Sequence, residues 1–303
     1  MSADDLGASM TTVCASCGIA EINDVKLKDC NSCDLVRYCS DECQKNHKSE
    51  HEEECKKRAT ELRDELLFRQ PESSFLGDCP ICCLPLPLDM KKSTMYECCS
   101  KVICIGCHHA NEIREEIEIR HTCPFCRKPG AERKEEAYKQ RMKRVEADDP
   151  VALCVEGALQ YNKKDYFKAF EYYAKAAELG NIDSHFKLAV MYDLGLHVKM
   201  NGEKKKYHLV EAAIGGHPMA RYNLGVFEWN KGDKERAVKH FVISATQGHD
   251  LSMKTLMDTF RRGLISKEDL AAALRAHQAA VDATKSPQRR EAEEIYEKWD
   301  KKA

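Results

Sequence analysis

Sixteen of the seventeen cysteines in this 303-residue chain fall between Cys14 and Cys126, mostly as C-x-x-C pairs. Such a turn places two thiolates on one ion, and four thiolate or imidazole ligands make the closed tetrahedral site of structural zinc, with no position left open for catalysis. The first stretch reads Cys14-x-x-Cys17, Cys30-x-x-Cys33, Cys39-x3-Cys43 and His51-x3-Cys55. The two spacings of four put each pair on one face of a helical turn. A second stretch holds Cys79-x-x-Cys82, Cys104-x-x-Cys107 and Cys123-x-x-Cys126, with an adjacent pair, Cys98 and Cys99, between the first two. Cys154, in "VALCVEGAL", is expected to be an inert buried thiol.

Disulfides are the competing use of so many cysteines. The opening "MSADDLGASMTTV" lacks the charged and apolar regions of a secretory signal, and no run of 18 apolar residues occurs. A soluble protein of the cytoplasm or nucleus is therefore expected, with no membrane partner, and reducing conditions there favour metal over disulfides. With a net charge of −2, neither half is basic enough to follow a phosphate backbone, which argues against a nucleic-acid partner. A chain of this length predicts two or three domains.

The stretch "YCSDECQKNHKSEHEEEC" (Tyr38 to Cys55) resembles the MYND zinc finger, with its order Tyr-Cys-Ser-x-x-Cys-Gln, then His, then Cys. That resemblance covers 14–55. It implies that Cys14, Cys17, Cys39 and Cys43 hold one zinc ion and Cys30, Cys33, His51 and Cys55 another. Lys48 stands where the family has a Trp near its peptide-binding surface, so proline-rich peptides are not an expected ligand. His47 is expected at the surface rather than on a metal.

Residues 79–126 resemble a RING finger, whose first and third ligand pairs share one ion and whose second and fourth share the other. The resemblance assigns Cys79, Cys82, Cys104 and Cys107 to one site, and Cys123 and Cys126 to a second. In "ECCSKVIC" (Glu97 to Cys104), Cys99 falls at ligand spacing, but Lys101 occupies the place of the usual His. Cys98 is the first candidate for the fourth ligand, turning inward if the hairpin bulges; His121 is its rival, and an incomplete site is the third possibility. His108 and His109 are expected to begin a helix, and Cys83 to point away. The resemblance further implies contact with a ubiquitin-conjugating enzyme through Ile81, Pro124 and Arg127.

Beyond Asp149 the chain is Cys-poor and repetitive. "YYAKAAELGNIDSHFKLAVMYDLG" is echoed by "HLVEAAIGGHPMARYNLGVFEWNKG" and "HFVISATQGHDLSM", with Gly180, Gly216 and Gly248 marking units of 36 and 32 residues. Each unit reads as two helices closed by the glycine. The pattern resembles Sel1-like repeats, relatives of the tetratricopeptide repeat, whose stacks bind other proteins. His185, His208, His217, His240 and His249 lack partners at ligand spacing and are read as structural or exposed.

The expected fold is mainly α, with two zinc-stabilised fingers preceding an α-helical Sel1-like solenoid. The boundaries read are a disordered 1–13, the first finger 14–55, a helical linker 56–78, the second finger 79–126, a solvated charged helix 127–148, repeats 149–260 and capping helices 261–303. Four zinc ions and no catalytic residue are expected. Two functions follow: a RING-type E3 ubiquitin ligase whose MYND finger and repeats recruit substrate, or a non-enzymatic adaptor joining protein partners. The oligomeric state is not legible.

Overall fold

The computed structural model describes residues 13–21, 25–118, 122–131 and 133–300. The chain divides into two compact units, Met1–Arg69 and Gln70–Ala303. In the first, strands β1 (Lys28–Asp29) and β2 (Arg37–Tyr38) pair antiparallel, followed by helices α1 (Asp41–Asn46) and α2 (Lys48–Phe68). The charged helix expected from residue 56 thus begins at Lys48, inside the finger. His51 and Cys55 need that first turn to face one ion. The core is small: Cys14, Leu27, Cys30, Cys33 and Tyr38.

The second unit opens with an antiparallel hairpin, β3 (Ser93–Tyr96) and β4 (Lys101–Cys104), running directly into α3 (Ile105–Glu118). Then come α4 (Lys134–Glu146) and eight further helices: α5 (Pro150–Asn162), α6 (Tyr166–Glu178), α7 (Ile182–Leu194), α8 (Gly202–Ile214), α9 (Pro218–Lys231), α10 (Lys234–Thr246), α11 (Asp250–Arg261) and α12 (Lys267–Ala283). The last, α13, is Pro287–Asp300. Helices α5 to α12 pack in sequence as a stack. Small residues fill the contacts (Ala169, Ala176, Ala212, Ala220, Ala237 and Ala245 are fully buried), which lets the axes approach closely. Side-chain caps from Asp149, Asp165, Asn181, Asn201, His217, Asp233 and Ser266 start seven of these helices, each worth about 1 kcal/mol.

The periodic glycines close α6, α8 and α10 in one geometry. Gly180, Gly216 and Gly248 take φ of 85°, 88° and 87°. The following residue in each case returns its N–H to the last helical turn: Asn181 to Ala176, His217 to Ala212 and His249 to Ser244. This Schellman closure needs a left-handed residue, which is why glycine sets the repeat.

Two expectations need correction. Helix α4 is not a solvated connector: Arg141 and Val145 are buried, and Arg141 lies between Glu97 of the finger and Glu156 of α5. Helix α12 caps the stack against α10 and α11, but α13 turns back and packs on α3. Charge patterning does not separate a solvated cation from one held between a buried carboxylate, Glu156, and a half-buried one, Glu97.

Candidate metal centres

Three cysteine pairs fold into one and the same turn. In Cys14-x-x-Cys17, Cys79-x-x-Cys82 and Cys123-x-x-Cys126 the first cysteine's N–H donates to a carbonyl five residues on (Ile19, Leu84, Lys128). The residue four places on returns its N–H to the first cysteine's carbonyl, and takes positive φ: Gly18 at 74°, Cys83 at 56° and Arg127 at 58°. Two N–H groups and both thiols are thereby turned toward the inside of the loop. Cys83 consequently faces solvent, as expected.

The sulfurs meet across the chain in interleaved order. Cys14, Cys17, Cys39 and Cys43 form one cluster, and Cys30, Cys33, His51 and Cys55 a second; within each cluster the ligand atoms lie within 4.8 Å of one another. Ser40 caps α1 by accepting from the N–H of Cys43, which sets Cys39 and Cys43 on one side of the helix start, their sulfurs 3.6 Å apart. His51 Nε2 is 3.1 Å from Cys33 Sγ. Tyr38, Gln44 and His47 support this arrangement. Tyr38 bonds His47 Nδ1, His47 stacks on His51, and Gln44 donates to Cys30 Sγ. His47 is thus half-buried in the layer behind the ligands rather than free at the surface.

In the second finger Cys79, Cys82, Cys104 and Cys107 come together, and so do Cys98, Cys99, Cys123 and Cys126. The adjacent pair reaches its site through the hairpin turn, not a strand bulge. Tyr96 pairs with Lys101, and the four residues between them turn back with Ser100 at φ 57°. Both Cys99 and Ser100 donate their N–H to the Tyr96 carbonyl. Cys99 then lies 3.6 Å from Cys123, and Cys98 3.3 Å from Cys126. Lys101, on the closing pair, is exposed. His121 lies outside the described residues.

The donor sets fit zinc. A tetrahedron with Zn–S arms of about 2.3 Å has edges of about 3.8 Å. The recorded sulfur separations include 3.6 Å for Cys17–Cys39, and 3.8 Å for Cys30–Cys55 and Cys82–Cys104. Crowding shows what is required electrically. Hydrogen bonds with Cys43 and Cys17 push Cys39 up to about 12, and burial with Cys30 and Cys33 pushes Cys55 up to about 12. Against its burial, the N–H groups of Cys17, Cys39 and Ser16 bring Cys14 down to about 6. Four neighbouring thiols do not ionise together unless a cation accompanies them.

Residues 14–55 match the family model of the MYND finger. Protein SHC1 of Saccharomyces cerevisiae is 36% identical over 63 residues, covering 21% of this chain and 12% of that protein. A putative sel1-like repeat-containing protein, L21, of Acanthamoeba polyphaga mimivirus is 35% identical over 79 residues, 25% of this chain and 14% of its own length. The matched segments therefore span about one seventh or less of these relatives. A Sel1 repeat protein from Oxalobacter formigenes aligns at TM-score 0.43 and 28% identity, covering 49% of this chain and 64% of that one. The protective antigen c5321 of uropathogenic Escherichia coli aligns at TM-score 0.43 and 23% identity, covering 49% and 34%. The chain thus joins a zinc-binding MYND finger to Sel1-like repeats, both of them modules for protein–protein contact.

Ile81 is 45% exposed at the tip of the Cys79–Cys82 turn, Pro124 is half-buried in the Cys123–Cys126 turn, and Arg127 is exposed beyond it. Tyr96 and Phe125, edge to face at 6.4 Å, pack against the core formed by Cys79, Leu86, Ile103, Cys104 and Cys107. In the repeats, His217 caps α9 and His185 shares a 3.0 Å Nδ1 contact with His208. Cys154 is buried and set against Asp183, and burial raises its thiol to about 12. Spacing gave no sign of two groups that hold the second finger: the Glu97–Arg141–Glu156 ion cluster, and Arg289, which donates to Cys82 Sγ. Among the described residues no helix is long and apolar enough to cross a membrane.

Proposed function

We propose that the second finger is a RING-type cross-brace that docks a ubiquitin-conjugating enzyme, while the first finger and the repeats recruit the protein to be modified. In this E3 ligase role the finger itself forms no covalent bond with ubiquitin. A substrate lysine amine attacks the thioester carbonyl, the amide forms, and the conjugating enzyme's cysteine leaves as the thiol. Ile81 and Pro124 supply the apolar docking contact, and Arg127 immobilises the thioester through charge-assisted hydrogen bonds. Four zinc ions, one per cluster, hold the two fingers. Cysteine clusters held by metal rather than by disulfides suit the reducing cytosol or nucleus.

The observation that carries this reading is the conformation of Arg127. The turn demands a left-handed residue there, and the first finger answers with Gly18. Cys83 shows that the turn also accepts a non-glycine residue, at about 1 kcal/mol; at Arg127 the same turn fixes an exposed guanidinium in the loop that carries Pro124. Arg127→Gly should relax the turn and retain zinc, yet slow single-turnover ubiquitin discharge onto free lysine about ten- to a hundredfold, for hydrogen bonds worth roughly 1.5–3 kcal/mol. Ile81→Ala should weaken docking itself. If the wild type, shown by native mass spectrometry to carry four zincs, accelerates no member of a panel of conjugating enzymes, the ligase reading fails and the chain is an adaptor.

A further inference from the structure

Helix α13 reaches the second finger from about 180 to 210 residues away, and its contacts converge on one metal cluster. Arg289 is 2% exposed. Its guanidinium donates to Cys82 Sγ at 3.3 Å, to the carbonyls of Leu84 and Pro85 at 3.1 and 2.7 Å, and to its own Thr284 carbonyl at 2.7 Å. Among the described residues its recorded partners are thus three carbonyls and a sulfur, none of them a carboxylate. A buried cation without a counter-ion costs several kcal/mol. The cluster beside it supplies one: four thiolates around a divalent zinc carry a net charge of about −2.

The backbone is equally close. A Cβ on Gly106, inside the Cys104-x-x-Cys107 turn, would lie 2.9 Å from the backbone N of Arg289 and 3.0 Å from its Cα. Only glycine lets the first turn of α13 settle there. Farther along, Tyr296 donates to Glu112 at 2.5 Å and meets the His109 ring edge-on, and Glu293 pairs with Lys92 at 2.9 Å. The helix is fastened to both α3 and the turn that leads into β3.

We propose that Arg289 is an outer-sphere residue of the Cys79–Cys82–Cys104–Cys107 zinc site, balancing its charge and fixing the Ile81 turn, so that α13 is an integral part of the second finger. The inference rests on the metal reading of that cluster. Arg289 completes the site as a positioning residue: its fork holds the Cys82 thiolate and the two carbonyls that follow it, which closes the loop bearing Ile81. Outer partners of this kind alter metal affinity by about 10- to 100-fold.

The test uses the full chain loaded with zinc. Competition with a chelator is followed by alkylation of released cysteines and mass spectrometry, so that each cluster is read separately. Arg289→Met should speed alkylation of Cys79, Cys82, Cys104 and Cys107 about 10- to 100-fold, leaving the Cys14 and Cys30 clusters of the first unit at wild-type rates. Arg289→Lys should recover part of the loss, because one ammonium keeps the charge but not the fork. Gly106→Ala keeps every ligand and Arg289 itself while displacing α13, and should give the same site-selective release with the repeats still helical. If wild type never protects this cluster, the metal reading fails. If wild type protects it and both Arg289→Met and Gly106→Ala release it at the wild-type rate, only the role of Arg289 falls.

Discussion

The first finger draws its ligands and their neighbours, Tyr38, Gln44 and His47, from residues 14–55, whereas the second depends on residues far along the chain. Arg141 ties its hairpin turn to α5 through Glu97 and Glu156, and Arg289 ties its first metal cluster to α13. Donor chemistry, interleaving and the turn around the cysteines are shared. Metal chemistry alone therefore does not define an independent domain; whether a finger stands by itself depends on what its outer residues touch.

Chelation tests that contrast most strongly. Structural zinc supplies on the order of 10–16 kcal/mol of apparent folding free energy in small fingers. Removing it should unfold 14–55 as a closed event. In the second unit it should expose 79–126 and also α13, while α7 to α10 keep their protection, since they bury their own core. Hydrogen exchange with and without chelator reads this directly. A helix α13 that kept full protection would erase the distinction between the fingers.

The ion cluster is the next lever. Arg141→Met leaves Glu156 buried beside Glu97 without a cation, and should cost about 3–5 kcal/mol. The urea midpoint of the second unit should fall while zinc retention by the first finger is unchanged. Equal loosening of both fingers would show that they share more than the chain connecting them.

The smallest effect compares the turns themselves. Cys83→Gly gives the second finger the residue that the first already has at Gly18, and should stabilise it by up to about 1 kcal/mol, the relief of about 1–2 kcal/mol of left-handed strain less about 0.4–1 kcal/mol of unfolded-chain entropy. Gly18→Ala should destabilise the first by about 1–2 kcal/mol. Zinc-release midpoints would resolve both, and like signs for the two substitutions would mean that the turns are not equivalent.

Local regularity decides how much of this was legible in the sequence. The C-x-x-C pairs, the one-turn spacing of His51 and Cys55 and the periodic Gly180, Gly216 and Gly248 are features of a few consecutive residues, and each constrains backbone geometry directly. Cys98 was harder, because its direction depends on the left-handed Ser100 and a four-residue turn that residue types alone do not specify. Arg141 and Arg289 looked like ordinary surface cations of charged helices. What makes each unusual is a partner brought near by the folded chain: Glu97 lies 44 residues before Arg141, and Cys82 lies 207 before Arg289.

That last separation has a meaning for synthesis. A ribosome adds about 5–20 residues per second, so roughly 10–40 s pass between the appearance of Cys82 and that of Arg289. During this interval the nascent second finger carries its thiols without the helix that completes it, whereas the first finger can finish soon after Cys55 leaves the exit tunnel. The two fingers are thus separated in time as well as in dependence, with the later one sealed only when the C-terminal helix arrives.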